Sequence, residues 1–391
     1  MLKQLSDSQN ESIKSCSFCN DICVFACPVF EAERKTITYP SRKALIGYNI
    51  CNDWIEFDEE AAEVFYLCSS CRLCYAECVW QCKDKRRDPV DAFKHFRAEA
   101  YTKGVAPPTI EQLEEKLSQG SLYGRLDDKL EALKKECAGS ADTKSVVVAD
   151  ADNLALAFES ATASVRLLNK IGALPLISDV YETGYDVVGV GLEARGIALA
   201  KKMADYLNGL DVEKIVVLSP KTYWAFTTKY PEWGAEIKKE LLFESAYLLE
   251  ITYMEPTIKA AIESLYKVQN FGMLEGYATY HDGSYFARYI KEYDSCRLLL
   301  KPRFDKLIEM RNNRFKAVPV APEDFPATLK ESTLECMARE RLKDIDELGV
   351  DYVVVSDPSS YAALKKYCCK KKVRSVSEVM LETFMEMDLR V

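Results

Sequence analysis

The chain has little histidine and no long apolar run. Its 391 residues include two histidines, His95 and His281, which leave little material for a histidine metal site or a histidine-activated nucleophile. No segment approaches the roughly twenty apolar residues that a membrane-spanning helix needs. The formal net charge of −9 lacks the basic excess that binds phosphates, which argues against a nucleic-acid partner.

The chain also lacks a Gly-x-Gly-x-x-Gly loop, so no flavin or nicotinamide site is evident. The segment GVGLEARG at 189–196 comes nearest, and the commoner meaning of such glycines is close packing at a helix entry. The start MLKQLSDSQN carries no apolar signal segment, which predicts a cytoplasmic protein with reduced thiols. The length predicts two or three domains.

Cysteines are the most informative residues. Of 15 cysteines, nine fall in two short segments, SCSFCNDICVFACPVF and LCSSCRLCYAECVWQC, and eight of these form two runs of four. The second run has the spacing Cys-x2-Cys-x2-Cys-x3-Cys, in which one loop wraps three thiolates around a 4Fe–4S cluster and sends a fourth to a neighbouring cluster. The first run has the same pattern with one extra residue and a proline after its last cysteine. The runs comprise Cys16, Cys19, Cys23 and Cys27, then Cys68, Cys71, Cys74 and Cys78.

Other roles for these cysteines fit the spacing less well. Structural zinc takes four ligands, usually as two Cys-x2-Cys pairs, whereas each run here supplies four closely spaced thiols. Disulfides are disfavoured because cytosolic thiols stay reduced. We therefore predict iron–sulfur clusters as the cofactors, in two copies.

The pattern resembles that of two-cluster ferredoxins, and the resemblance implies how the thiols are shared. The implied ligands are Cys16, Cys19, Cys23 and Cys78 for cluster 1, and Cys68, Cys71, Cys74 and Cys27 for cluster 2. The extra residue before Cys23 and the absence of a proline at Val79 leave Cys51 and Cys82 as alternative ligands for cluster 1. An ordinary buried cysteine is the commoner role for both.

The remaining pattern predicts an α+β multidomain chain. An N-terminal α-helical two-cluster ferredoxin module (1–105) precedes a helical connector (106–140) and two tandem α/β repeats with parallel sheets (141–265 and 266–391), because short valine-rich runs alternate with helices. The segments EKIVVLSPKTYWAFTTKY and DYVVVSDPSSYAALKKY superimpose as strand, turn and helix, which indicates an internal duplication. We predict WGAEIKKELLFESAYLLEIT to be helical.

This arrangement resembles the cysteine-rich-domain iron–sulfur oxidoreductases over nearly the whole chain. That family includes the catalytic subunit of heterodisulfide reductase and the iron–sulfur subunits of anaerobic glycerol-3-phosphate dehydrogenase and of glycolate and lactate oxidases. TYPSRKALIG at 38–47 is similar to the family's Ser-Pro-Arg-Gly segment. YHDGSYFARY at 280–289 is similar to its Tyr-His-Asp-Pro-Cys-x-Leu-Gly-Arg segment.

The chain departs from this family at the cysteines of the repeats, which normally form Cys-Cys-Gly and Cys-Pro-x-Cys elements. The matching places hold Glu182, Thr183 and Gly184, then 219–222, Ser284, 318–322 and 357–360, with no cysteine at any of them. We interpret the scattered Cys137, Cys296, Cys336, Cys368 and Cys369 as ordinary core or surface cysteines. A chain that keeps both cubane motifs without these thiols is expected to pass electrons rather than perform thiol chemistry.

The resemblance implies a non-catalytic electron-transfer subunit of an anaerobic-type oxidoreductase complex. It would relay single electrons through two 4Fe–4S clusters between a flavoprotein dehydrogenase or reductase subunit and another carrier, free or peripheral to a membrane complex. One alternative is a heterodisulfide reductase-like thiol/disulfide oxidoreductase acting between the repeats, with His281 and Asp282 as proton donors. Another is a non-redox scaffold with structural clusters. For His281, a structural role in a turn is the commoner one.

Overall fold

The larger part of this α+β chain is built around two four-stranded parallel sheets, in a computed structural model that describes residues 5–79, 87–139, 143–254 and 274–388. A set of helices precedes the first sheet. The sheets lie one after the other along the sequence.

The N-terminal part is helical. Its first helix starts at a capping box, in which Ser6 and Gln9 satisfy each other's backbone N–H groups. Three phenylalanines lie at the centre of this N-terminal part. The rings of Phe65 and Phe96 stack with their centroids 4.4 Å apart, and Phe93 packs beside Phe65. The helices are α1 (Asp7–Ser17), α2 (Pro28–Glu33), α3 (Pro40–Cys51), α4 (Glu59–Tyr66), α5 (Leu73–Ala76) and α6 (Val90–Lys103).

The predicted helical connector contains α7 (Thr109–Leu117) and α8 (Asp127–Lys135). Both helices are amphipathic. Leu113 of α7 and Leu130 of α8 are buried, whereas most lysines and glutamates of the same two helices are exposed to solvent.

The first sheet has the strand order β2-β1-β3-β4, with every pair parallel. Its strands are β1 (Ser145–Val148), β2 (Leu176–Ile177), β3 (Lys214–Val217) and β4 (Glu240–Phe243). Its helices are α9 (Ala151–Leu156), α10 (Phe158–Lys170), α11 (Tyr185–Gly189), α12 (Glu193–Gly209), α13 (Pro220–Trp224), α14 (Tyr230–Glu232) and α15 (Glu244–Met254). β1 is buried along its whole length, as its valines predict for a strand covered on both faces.

The prediction of a helical segment across WGAEIKKELLFESAYLLEIT is wrong in part. Residues Glu240–Phe243 form the edge strand β4, paired with β3 from Lys214↔Glu240 to Val217↔Phe243, and the helix α15 begins only at Glu244. The sheet's hydrogen bonds override the helical propensity of the lysines and glutamates around the strand.

The second sheet has the order β6-β5-β7-β8 and is also parallel throughout. Its strands are β5 (Leu274–Tyr280), β6 (Phe304–Leu307), β7 (Tyr352–Val355) and β8 (Lys372–Ser375). Its helices are α16 (Ser295–Leu300), α17 (Glu331–Glu347), α18 (Pro358–Tyr367) and α19 (Val376–Asp388), and a π-helix spans Tyr285–Ile290.

The two sheets share one topology, because replacing β1–β4 by β5–β8 converts the first strand order into the second. The strand and helix β3–α13 correspond to β7–α18, the pair matched from the sequence. This agrees with two α/β repeats. The predicted boundary at 265 lies outside the described residues, and the domain limits stay predictions.

Among the residues that the structure describes, none of the helices combines the length and apolar character required to cross a membrane.

Candidate metal centre

The first cysteine run lies in the turn between α1 and α2. Cys16 is in the last turn of α1, and the N–H of Cys19 donates to the Cys16 carbonyl at 3.3 Å. Asp21 adopts a left-handed φ of 61°, which reverses the chain before a 3-10 turn that carries Cys23. Cys27 then caps α2, whose first residue is proline. The proline thus places the fourth thiol at a helix start.

The second run follows α4 directly. Cys68 lies just beyond the helix, Cys74 lies in α5 and Cys78 follows it. Ser70 and Arg72, on either side of Cys71, both have left-handed φ values, 56° and 55°. Such conformations are costly for non-glycine residues and concentrate at functional sites. Loops of this kind turn successive N–H groups to one side, as at anion and iron–sulfur sites.

The fold brings the thiols of the first predicted set near one another. Burial raises the pKa of Cys16 well above its usual range, and Cys23, Cys78 and Cys19 raise it further because neighbouring thiolates repel. Burial also raises the pKa of Cys23 to about 12, with further increases from Cys27, Cys19, Asp21 and Cys78. These are the thiols predicted for cluster 1, with Cys27 alongside.

The thiols of the second predicted set are neighbours as well. Burial raises the pKa of Cys74 well above its usual range, with Cys23, Cys71 and Cys68 among the groups that raise it further. Burial also raises the pKa of Cys27, and the neighbouring Cys68 raises it further. Cys23 thus adjoins two members of this set, Cys27 and Cys74, so the two sets are adjacent.

In the described part of the chain, no three histidine, cysteine, aspartate or glutamate side chains converge as ligands of one metal ion. A 4Fe–4S cluster binds its cysteines on separate irons, so its four thiols do not converge on one atom. The eight thiols, in the two predicted sets of four, are a donor set that would fit two such clusters. The raised pKa values indicate thiols that need a cationic partner to ionise.

Three buried side chains hold the second cysteine loop by its carbonyl groups. Arg97 of α6 donates to the Cys68 carbonyl at 2.7 Å, and Arg288 donates to the Cys71 carbonyl at 2.5 Å. The hydroxyl of Tyr289 donates to the Ser70 carbonyl at 2.5 Å. Arg288 and Tyr289 belong to the π-helix of the second repeat. The loop is therefore fixed from both halves of the chain.

Two buried cations beside the second set have no carboxylate partner among the described residues. Lys43 is 1% exposed, and its ammonium donates to the Thr38 carbonyl, from which the thiol of Cys27 lies 3.7 Å away. Arg288 is 2% exposed and donates only to carbonyls and to the Ser284 hydroxyl. Burial raises the pKa of Cys27, and Lys43 opposes that rise. Burial likewise raises the pKa of Cys71 to about 11, and Arg288 opposes the rise.

Of the two alternative ligands predicted for cluster 1, Cys51 lies apart from these thiols. Cys51 is exposed at the end of α3; burial raises its pKa, and Asp53 raises it further, with no cysteine among the groups that affect it. Cys82 lies outside the described residues.

The residues at the family's cysteine places have structural roles. Ser219 caps α13 by accepting from the N–H of Thr222, and Asp357 caps α18 by accepting from the N–H of Ser360 at 2.8 Å. The Thr183 carbonyl accepts from the hydroxyl of Tyr230 at 2.6 Å.

A cavity of about 240 Å³ lies at the carboxyl ends of strands from both repeats. Its walls include Tyr123, Asp152, Lys221, Asp324, Phe325 and Ala363. At one end Lys221 is ion-paired with Asp152, whose other oxygen accepts from the Tyr123 hydroxyl at 2.8 Å. Among the residues that the structure describes, no cysteine lines this cavity.

His281 and Asp282 lie away from that cavity. His281 is fully buried, its Nδ1 accepts from Arg341 at 3.3 Å, and burial lowers its pKa well below the usual range. Asp282 accepts two hydrogen bonds from Arg297, each 2.8 Å long. Both residues therefore have structural contacts, and neither lines the cavity between the two repeats.

Sequence reasoning missed Lys43, Arg97, Arg288 and Asp324. Lys43 and Arg288 do lie in TYPSRKALIG and YHDGSYFARY, the two segments similar to the family.

Comparison of the chain with protein-family models, with curated proteins and with solved structures gave no match.

Proposed function

We propose that the chain is an iron–sulfur electron-transfer subunit of an anaerobic-type oxidoreductase complex. The two cysteine sets would hold its clusters: Cys16, Cys19, Cys23 and Cys78 for cluster 1, and Cys68, Cys71, Cys74 and Cys27 for cluster 2. The observation that carries the proposal is the pair of buried cations, Lys43 and Arg288, beside one set of thiols. Buried charges are normally paired, and a cluster with four thiolates is a net anion that would pair them.

A bound 4Fe–4S cluster supplies reversible one-electron transfer. The chain's own residues hold the thiolates and set their surroundings. Arg97, Arg288 and Tyr289 fix the carbonyls of the second loop, which limits movement around the bound group. Cys23 adjoins both Cys27 and Cys74, so electrons need no third carrier between the sets.

The partners that we propose are a flavoprotein dehydrogenase or reductase subunit and further redox subunits, in the cytoplasm or peripheral to a membrane complex. A flavin can divide a two-electron oxidation into single electrons. Apolar side chains around the first cysteine set support a docking role, because Phe18, Ile22, Phe25 and Val79 are 46–89% exposed. Each lies next to or near one of that set's cysteines.

The motif resemblance supports membership of the cysteine-rich-domain iron–sulfur oxidoreductases, with repeats that have lost their cysteines. The parallel sheets of identical order agree with the two repeats of that family. Their role in this proposal is to hold the second cysteine loop and the partner subunits.

The cavity between the repeats favours a second candidate function, a reductase whose substrate binds there. Lys221, Asp152 and Tyr123 would supply its polar contacts. Asp324 lines the cavity and accepts a hydrogen bond from Ser70 of the second cysteine loop, so a bound substrate would lie close to that loop. A thiol/disulfide mechanism would have to proceed without a cysteine in the cavity wall.

Electron counting separates the two functions. The isolated, anaerobically reconstituted protein is titrated with dithionite and then mixed with reduced viologen and disulfide substrates. A relay takes up about one electron per cluster and stops, with no continued viologen oxidation. Sustained viologen oxidation dependent on a disulfide would support the reductase instead.

A further inference from the structure

The surroundings of the two cysteine sets differ in charge. The second set adjoins two buried cations. Asp21 raises the pKa of Cys23 in the first set, whereas Asp88 raises the pKa of a thiol in each set, Cys16 and Cys74. Each acid has an arginine partner at 2.7 Å, Arg42 for Asp21 and Arg72 for Asp88. Among the described residues, both acids are therefore paired, while Lys43 and Arg288 add positive charge beside the second set.

Lys43 contributes one of these uncompensated charges. Its side chain is buried in α3 and shares the Thr38 carbonyl with the thiol of Cys27. Its amine is therefore held away from water and beside the cysteine.

Arg288 contributes the other charge. Among the described residues, the nearby carboxyl of Glu323 makes no hydrogen bond or ion pair with Arg288; its Oε1 instead accepts from the N–H of Ser284 at 3.1 Å. Burial, with Asp357 adding to the effect, raises the pKa of Glu323 to about 8. The guanidinium of Arg288 donates hydrogen bonds to the Cys71, Phe315 and Ala317 carbonyls. It is therefore held rigidly beside the loop.

We propose that the cluster held by the second set, Cys27, Cys68, Cys71 and Cys74, has the higher reduction potential of the two. An electron that enters at the cluster of the first set would then settle at that of the second. Reduction adds one negative charge, and a fixed cation in a dry environment stabilises the reduced form. This inference rests on the proposed function, since it presumes clusters at both sets.

The ordering also gives the chain a direction. Phe18, Ile22 and Phe25, each within two residues of a first-set cysteine, are exposed, whereas Ser70 of the second loop is fully buried and contacts Asp324 at the cavity. Electrons would pass from the exposed face towards the junction of the two repeats. Lys43 and Arg288 are positioning residues in this account, since neither ligates the group.

The test is a redox titration of the anaerobically reconstituted protein, followed by electron paramagnetic resonance. We expect two midpoint potentials. Lys43→Met should lower the higher one by at least a tenfold change in its equilibrium constant, about 59 mV for one electron, and leave the lower one unchanged. Lys43→Arg should restore the wild-type value.

Lys35→Met is the matched control, since the Lys35 side chain is 61% exposed in the segment that leads to the same helix. It should leave both potentials unchanged. A fall in the lower potential with Lys43→Met, or no change in either, would overturn the inference.

A measurement on the unaltered protein covers the case in which Lys43→Met fails to fold. The protein is reduced by one electron and exposed to a soluble paramagnetic ion that speeds the relaxation of surface spins. The paramagnetic ion should change the relaxation of the cluster signal only weakly, because the electron lies at the second set. A strong effect would place the electron at the first set and contradict the proposal. Absence of iron would instead refute the proposed function itself.

Discussion

The hydroxyl of Ser70, in the second cysteine loop, donates a hydrogen bond to the carboxylate of Asp324, which lies 254 residues later in the chain. The same carboxylate accepts from Lys94 at 2.8 Å and is paired with Arg97 at 3.2 Å. Both cations come from α6. Asp324 therefore joins the cysteine loop and the last N-terminal helix to the second repeat.

Removing the charge of Asp324 should destabilise the protein strongly. Burial alone would raise the pKa of Asp324, but Lys94 and Arg97 overcome that effect and hold it below the usual value. Asp324→Asn leaves both cations buried without their carboxylate, which should cost about 3–5 kcal/mol in the free energy of unfolding. Urea unfolding followed by circular dichroism measures this. Asp211→Asn, whose side chain is 94% exposed, should unfold like the wild type.

The carboxyl of Glu182 should make stability fall as the pH rises. Burial raises its pKa to about 8, and Asp186, Asp152 and Asp150 contribute in the same direction. The unfolded pKa is about 4.3. The folded state therefore binds the extra proton between these values, and the stabilisation is complete below pH 4.3 and lost as the pH passes 8.

The matching variant is Glu182→Gln, which stays neutral and keeps an acceptor for the N–H of Gly184, now 2.9 Å from the carboxyl oxygen. Its stability relative to wild type should increase by up to about 1.4 kcal/mol for each pH unit between these pKa values. Thermal unfolding from pH 5 to pH 9 measures the difference. A constant difference across that range would contradict the assignment; the exposed Glu236→Gln should show a constant one.

Gly196 should not tolerate a side chain. A Cβ there would lie 2.6 Å from the Gly184 carbonyl oxygen and 2.6 Å from a Val188 methyl group. Gly196→Ala should cost about 1–3 kcal/mol, although alanine is normally the better helix former. Gly209→Ala in the same helix meets nothing within 4 Å and should be neutral or stabilising. Equal effects in chemical unfolding would show that packing does not require Gly196.

Cys78 and Cys51 should differ in their effect on iron content. Cys78 adjoins Cys16 and Cys23, whereas Cys51 is exposed and apart from the other thiols. Cys78→Ser should lose about half of the bound iron, and Cys51→Ser should keep all of it. Iron analysis after anaerobic reconstitution decides this. Loss of iron in Cys51→Ser would mean that Cys51 replaces one of the predicted ligands.

The sequence predicted the features that depend on local pattern. Valine-rich runs between helices predicted the parallel strands β1, β3 and β7, because burial on both faces leaves a continuous apolar signal. The glycines of GVGLEARG pack closely, as the commoner meaning predicted, with Gly196 against Gly184. The strand β4 was missed because it is a partly exposed edge flanked by lysine and glutamate.

The surroundings of the cysteines could not be predicted in the same way. Cysteine spacing marked the two runs because the members of a run lie close in sequence, whereas the sharing of Cys27 and Cys78 between the runs is implied by the resemblance to two-cluster ferredoxins and stays a prediction. Arg288 and the Cys71 carbonyl, in contrast, are separated by 217 residues, and Arg97 and Asp324 by 227. Only the tertiary fold brings such groups together, so no local pattern marks them.

The most direct test of the account is the content of iron and acid-labile sulfide per chain in anaerobically purified protein, with electron paramagnetic resonance after dithionite reduction. The account predicts about eight irons, matching sulfide and signals from two interacting cubane clusters. Protein that holds zinc or no metal, and yields no such signal after reconstitution, would contradict it.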